Sequence, residues 1–186
     1  MKYGLVTFAA NGGVVAATGA APADRTGVVG KAVEPSTMPA VEREGYDFKG
    51  WFEKADFTGD EATALPDTFK EESRTYYAKW EAKASTIKFE ANGGEGASDM
   101  TGVTDQAPSE ADAAWATLPD LSDARLGYTF DGWFPADGNA EGGDGNWGDQ
   151  ITTAPTAFPW NADDVTGEGT EESPYKSNTT YYAKWT

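Results

Sequence analysis

The segment Asp137-Gly138-Asn139-Ala140-Glu141-Gly142 places side-chain oxygens at its first, third and fifth positions and glycine at its sixth. That is the opening half of a calcium loop, because a hard cation gathers about six to eight oxygens around a sharp turn. Asp137, Asn139, Glu141 and the nearby Asp144 are the candidate metal ligands, and calcium is the one cofactor the sequence suggests. The place for the closing bidentate carboxylate is filled by Gly148, with Asp149 one residue late. The plainer alternative is a solvated Gly/Asp loop. A second group could hold a sugar. Trp147 and Trp160 lie close to Asn146 and Asp163; an exposed indole stacks on a pyranose face while amides and carboxylates bond its hydroxyls. The competing reading is that a long loop needs apolar anchors of its own. The pairs Asp163-Asp164 and Glu171-Glu172 have the composition of a glycosidase pair, but such a pair needs a cleft that raises one member's pKa. In so acidic a chain solvated charge is the default. Lys79 and Lys184 could crosslink to Asn or Asp if buried, yet their alternation with Tyr76 and Trp80, or Tyr181 and Trp185, puts them on an exposed strand face.

Composition removes most other chemistry. The chain has no Cys and no His, so it can form no disulfide, thiol nucleophile, Cys/His zinc site or His general base. Its 31 acidic residues against 14 Lys and Arg give a net charge of −17, which argues against binding nucleic acid phosphates or an anionic membrane. No apolar run of about 18 residues is present to span a bilayer. No secretory leader is visible at Met1, the expectation for a segment trimmed from a longer protein. Leu, Ile and Val are scarce, and the 9 Phe, 7 Trp and 8 Tyr must build the core instead.

The elements that would position these residues occur twice. Phe8-Ala9-Ala10-Asn11-Gly12-Gly13 returns as Phe89-Glu90-Ala91-Asn92-Gly93-Gly94. Gly45-Tyr46-Asp47-Phe48-Lys49-Gly50-Trp51-Phe52 returns as Gly127-Tyr128-Thr129-Phe130-Asp131-Gly132-Trp133-Phe134. Thr75-Tyr76-Tyr77-Ala78-Lys79-Trp80 returns as Thr180-Tyr181-Tyr182-Ala183-Lys184-Trp185. The offsets are 81, 82 and 105, so the second copy is enlarged at about 135–179. The copies run 1–82 and 85–186, joined by the short polar stretch Glu81-Ala82-Lys83-Ala84-Ser85. Acidity is concentrated in the second copy.

Local signals predict strands at Tyr3 to Phe8, Val28 to Val33 with an interruption at Gly30, Tyr46 to Phe52, Thr75 to Trp80 and Thr86 to Glu90. Asn11-Gly12-Gly13 predicts a tight turn, because Asn and Gly tolerate positive φ. Period two predicts Tyr46, Phe48, Gly50 and Phe52 on one face and Trp51 on the other. Trp51, Trp80, Trp133 and Trp185 are candidate core, while Trp115, Trp147 and Trp160 belong to the second copy alone. Helix is confined to Ser109 to Ala116 and one turn at Glu61 to Leu65. The fold class expected is α+β, mostly β: two tandem small domains, the second enlarged by an insertion.

The ordered blocks Asn11-Gly12-Gly13, Arg43 to Phe52 and Tyr76 to Trp80, and their repeats Asn92-Gly93-Gly94, Arg125 to Phe134 and Tyr181 to Trp185, resemble the Listeria–Bacteroides repeat, the internalin B-repeat. The resemblance implies a variant β-grasp module in tandem on bacterial surface proteins, hence an extracellular, cell-surface location. It implies a non-catalytic stalk, spacer or adhesion role, with neighbouring repeats as partners and no nucleic acid or membrane insertion. It carries over no catalytic residue. The second copy departs from the pattern in its enlarged segment, and loop insertions in repeat arrays often carry a binding face. The alternative role is therefore a module that binds a surface glycan or protein through that segment, ordered by calcium.

Overall fold

The computed structural model describes residues 1–107, 117–140 and 145–186 of the 186-residue chain. The chain divides into two compact units, Met1–Glu81 and Ala82–Thr186. Among the described residues every regular element is a strand. The helical part of the expected α+β class is therefore not seen in them. Ser109 to Ala116 lies outside the described residues, as does Trp115. Glu61 to Leu65 is not a helical turn: Glu61 bridges Phe52, and the Ala62 N–H donates to the Trp51 carbonyl at 2.7 Å.

The first unit holds β1 (Tyr3–Ala9), β2 (Arg25–Val28), β3 (Tyr46–Phe52) and β4 (Arg74–Ala82) in the order β2-β1-β4-β3. β1 pairs antiparallel with β2 and parallel with β4. The second unit holds β5 (Ala84–Glu90), β6 (Met100–Val103), β7 (Phe130–Phe134), β8 (Val165–Thr166) and β9 (Lys176–Trp185). Its order is β6-β5-β9-β7, again with a parallel central pair, and β8 adds to β9. Each sheet is thus mixed, and its first and last long strands are neighbours.

Alternation in β1 buries Val6 and Phe8, and alternation in β5 buries Ile87 and Phe89. Tyr76 and Ala78 of β4 complete the first core with Trp51, Val33, Leu65 and Phe69. The second core repeats it with Trp133, Ala183, Leu121, Met100 and Phe158. Both cores are held by rings: Phe8 meets Trp51 at 5.4 Å and Phe89 meets Trp133 at 4.8 Å, edge to face.

Two strand expectations are corrected. The strand predicted at Val28 to Val33 lies earlier, at Arg25–Val28, and ends where Gly30 takes φ +83° and the Lys31 N–H closes a turn on the Val28 carbonyl. The simple alternation of β3 fails too, because Trp51 is buried in the core and Phe48 packs on the same ring system, 5.9 Å from Trp51 and 5.2 Å from Trp80. The cause is Gly50, at φ +104°. Its counterpart Gly132, at φ +116°, sits at a register shift between β7 and β9. A bulge adds one residue and reverses the faces beyond it. In the short polar stretch that joins the copies, Glu81 and Ala82 end β4, Ala84 begins β5, and Lys83 alone lies between them.

Candidate functional site

The residues that define the repeat are used in one internal lock, built twice. Asn11 and Asn92 adopt φ +49° and +47°, a left-handed turn that Asn tolerates. Their Nδ2 atoms donate to the Ala78 and Ala183 carbonyls at 2.8 and 2.9 Å, tying the turn to the last strand. Gly13 and Gly94 lie beneath indoles; a Cβ there would overlap Trp80 Cζ2 or Trp185 Cζ2. The same indoles donate Nε1–H to the Ala10 and Ala91 carbonyls, each at 2.8 Å. Arg43 and Arg125 donate to the Asn11 and Asn92 carbonyls at 3.2 and 3.1 Å. Each guanidinium also lies over a tyrosine, Tyr46 at 3.6 Å and Tyr128 at 3.7 Å. Trp51 and Trp133 are locked separately, donating to the Pro39 and Pro119 carbonyls at 3.0 and 2.7 Å. Asn, Gly, Arg, Tyr and Trp are here turn, cap and core.

The same equivalences divide the enlargement of the second unit. Trp51 and Trp133 correspond at an offset of 82. Ala62 and Ile151 then correspond, each donating its N–H to the preceding motif tryptophan's carbonyl, at an offset of 89. Phe69 and Phe158 keep that offset, each filling the space under a glycine, Gly27 or Gly102. At Thr75 and Thr180 the offset is 105. Seven extra residues therefore precede Ile151 and sixteen follow Phe158, with an ordinary stretch of repeat between. The insertion expected as one block at 135–179 is two.

Trp147 belongs to the shorter addition and Trp160 to the longer, and the two rings form no pair with each other among the described residues. Trp147 is half-buried, 5.7 Å from the Phe134 ring and against Gly138, with Lys184 Nζ 6.0 Å away. In the first unit Phe57 meets Phe52 at 6.0 Å beside Lys79 in the corresponding place. Trp147 is thus the larger version of an anchor that both units possess. Asn146 accepts the Gly148 N–H at 3.0 Å. Trp160 packs with its ring under Lys83 Nζ at 5.3 Å, and Tyr175 takes the same ammonium at 5.5 Å. Asp163 is exposed in a turn whose N–H donates to Asn161 Oδ1, while Asp164 accepts from Asn178 Nδ2 at 3.2 Å.

Of the four candidate metal ligands, Glu141 and Asp144 lie outside the described residues. Asp137 Oδ1 accepts the Asn139 N–H at 3.0 Å, and the Asp137 carbonyl closes the turn on Ala140. This is an Asx turn. Among the described residues no three acidic side chains are grouped to hold a metal.

Sequence reasoning misses the pairing of Lys83 with Trp160 and Tyr175, since no local pattern links residues so distant in the chain. It also misses Asp24 and Asp99, which accept the Phe8 and Phe89 N–H groups at 3.3 and 3.1 Å and complete the edge of each central strand. Among titrating groups, burial pushes the Tyr76 and Tyr181 phenols above their ordinary range, and the Glu53 carboxylate adds to the effect at Tyr76.

Comparison with known proteins agrees with the duplicated lock. The Listeria-Bacteroides repeat domain matches residues 5–79 and 86–157, the second match ending one residue before Phe158 and the longer addition. The chain is 32% identical over 102 residues to a "Putative membrane protein" of Evansella cellulosilytica, covering 55% of this chain and 13% of that one. It is 30% identical over 119 residues to a "Putative Gly-rich membrane protein" of the same organism, covering 63% of this chain and 13% of that one. The chain thus spans a small fraction of the length of these relatives. No solved structure matches it. No helix of the described residues is long and apolar enough to cross a membrane. With the family's domain matched twice over most of its length, the chain belongs to the Listeria-Bacteroides repeat family.

Proposed function

We propose that the chain is a non-catalytic spacer segment of a bacterial envelope protein, exposed at the cell surface. The observation that carries this reading is the use of the motif's Asn, Arg and final Trp in an internal lock, built the same way in both units. The family and the relatives described as membrane proteins support envelope placement. The strand order β2-β1-β4-β3 around a parallel pair supports a β-grasp topology without its helix. Partners, on this reading, are neighbouring segments of the same long protein.

A ligand-binding role for the additions has one observation in its favour: Tyr175 and Val165 are exposed apolar side chains of the longer one. Against it, Lys83 already occupies the ring faces of Trp160 and Tyr175. Retention of the labelled chain on immobilised bacterial glycans and envelope fragments separates the two readings. A spacer shows no saturable retention. Saturable retention lost in Trp160→Ala or Trp147→Ala would replace it with the binding reading.

A further inference from the structure

The two strands through which the chain enters and leaves each unit lie side by side and run parallel. In the first unit Val6 to Ala9 of β1 pair with Arg74 to Tyr77 of β4. In the second, Ala84 to Glu90 of β5 pair with Lys176 to Tyr182 of β9. Tension along the chain pulls the beginning of the first strand one way and the end of the last strand the other. For parallel neighbours these directions lie along the strands. The whole ladder is then loaded at once, and it cannot yield bond by bond from one end. A single backbone hydrogen bond is weak in net terms, but several that must break in one short displacement present a high barrier to forced unfolding, and forced unfolding is governed by that rate.

We propose that each unit is a load-bearing element that resists tension by shear of its parallel pair, and that the longer addition reinforces the second unit. The addition lengthens the ladder. β8 pairs with Lys176 and Ser177, and the Asn178 N–H donates to the Asp164 carbonyl at 2.9 Å, so β9 extends beyond the span of β4 and its pairing with β5 covers seven positions against four. It also grips the residue where force enters. Lys83 Nζ lies against Trp160 and Tyr175. Ser85 Oγ donates to the Pro159 carbonyl at 2.6 Å. At the first unit's entry the Lys2 carbonyl accepts the Val29 N–H at 3.0 Å, as the Lys83 carbonyl accepts the Thr104 N–H at 2.9 Å, but the Lys2 ammonium meets Glu71 in an exposed pair instead of two rings.

The proposal draws its purpose from the spacer reading, but force reads it independently. The chain has no cysteine, so introduced ones place handles uniquely. Pulled between residues 1 and 186, the chain should unfold in two events. Releasing the 81-residue and 105-residue units frees roughly 280 Å and 370 Å of chain, which tells the units apart. The second unit should yield at the higher force, and Trp160→Ala with Tyr175→Ala should lower its force towards that of the first. In the first unit, handles at Lys2→Cys and Glu81→Cys load the ladder in shear. Handles at Lys2→Cys and Ser73→Cys pull the same end of both strands, and the force should fall to about half or less as the bonds peel in turn. Equal forces in the two geometries would overturn the shear mechanism and leave the spacer a passive tether. A second unit no stronger than the first, or unmoved by the double substitution, would overturn the reinforcement. Unchanged thermal melts of the cysteine variants show that they start from the same fold.

Discussion

Gly13 and Gly94 show why single residues define this repeat. Neither needs an unusual φ, yet each is closed to any side chain because an indole lies where Cβ would be. Trp80 and Trp185 cannot retreat without losing the 2.8 Å bonds to Ala10 and Ala91. Gly13→Ala should therefore destabilise the first unit by about 1–3 kcal/mol, the usual cost of overpacking, and Gly94→Ala should do the same to the second; urea unfolding followed by tryptophan fluorescence measures both. The tyrosines give a pH dependence. Burial raises Tyr76 and Tyr181 above the ordinary value of 10.0, so folding favours their neutral form. The stability they contribute is whole below that value and is lost as pH rises through the folded pKa values. The melting temperature should fall above about pH 10, and Tyr76→Phe with Tyr181→Phe should flatten the fall. An unchanged slope would show that other groups set it.

At the scale of elements, what was legible depended on whether the signal was local. The turns at Asn11 and Asn92, the alternation of Ile87 and Phe89, and the inward Tyr76 and Ala78 each follow from adjacent residues. The face of Trp51 does not, because one glycine at φ +104° reverses an alternation that reads correctly up to it. The displacement of β2 has a similar cause in Gly30. The split of the enlargement was hidden because Ala62 and Ile151 play one role with different side chains, and only their backbone bonds show it. The candidate sites were legible as composition but not as geometry. Asp137 with Asn139 and Asn146 with Gly148 close Asx turns, and Trp147 is an anchor already present in smaller form at Phe57. Calcium at about 1 mM, the range of extracellular sites, should leave the melting temperature of the second unit unchanged. A rise abolished by changing Asp137, Asn139 and Glu141 to Ala would establish the metal loop instead.

On the scale of the whole chain, two units of one family follow each other directly in sequence, and the second differs by two additions and most of the negative charge. A net charge so far from zero favours solubility and repulsion between copies without specifying a fold. The duplication was plain in the sequence because whole blocks recur; the purpose of the additions was not, because their contacts reach back to Lys83 and Ser85 at the far end of the unit. A spacer has one property that a ligand-binding module lacks: its effect depends on how many copies are present and not on any one side chain. The most direct test is to place zero, one and two copies of the chain between a wall anchor and a fluorescent tag on a bacterial surface, and to measure the height of the tag above the membrane. The spacer account predicts that height rises with each copy and is unaltered by Trp147→Ala, Trp160→Ala or Asp163→Ala. A height that does not change with copy number would contradict it.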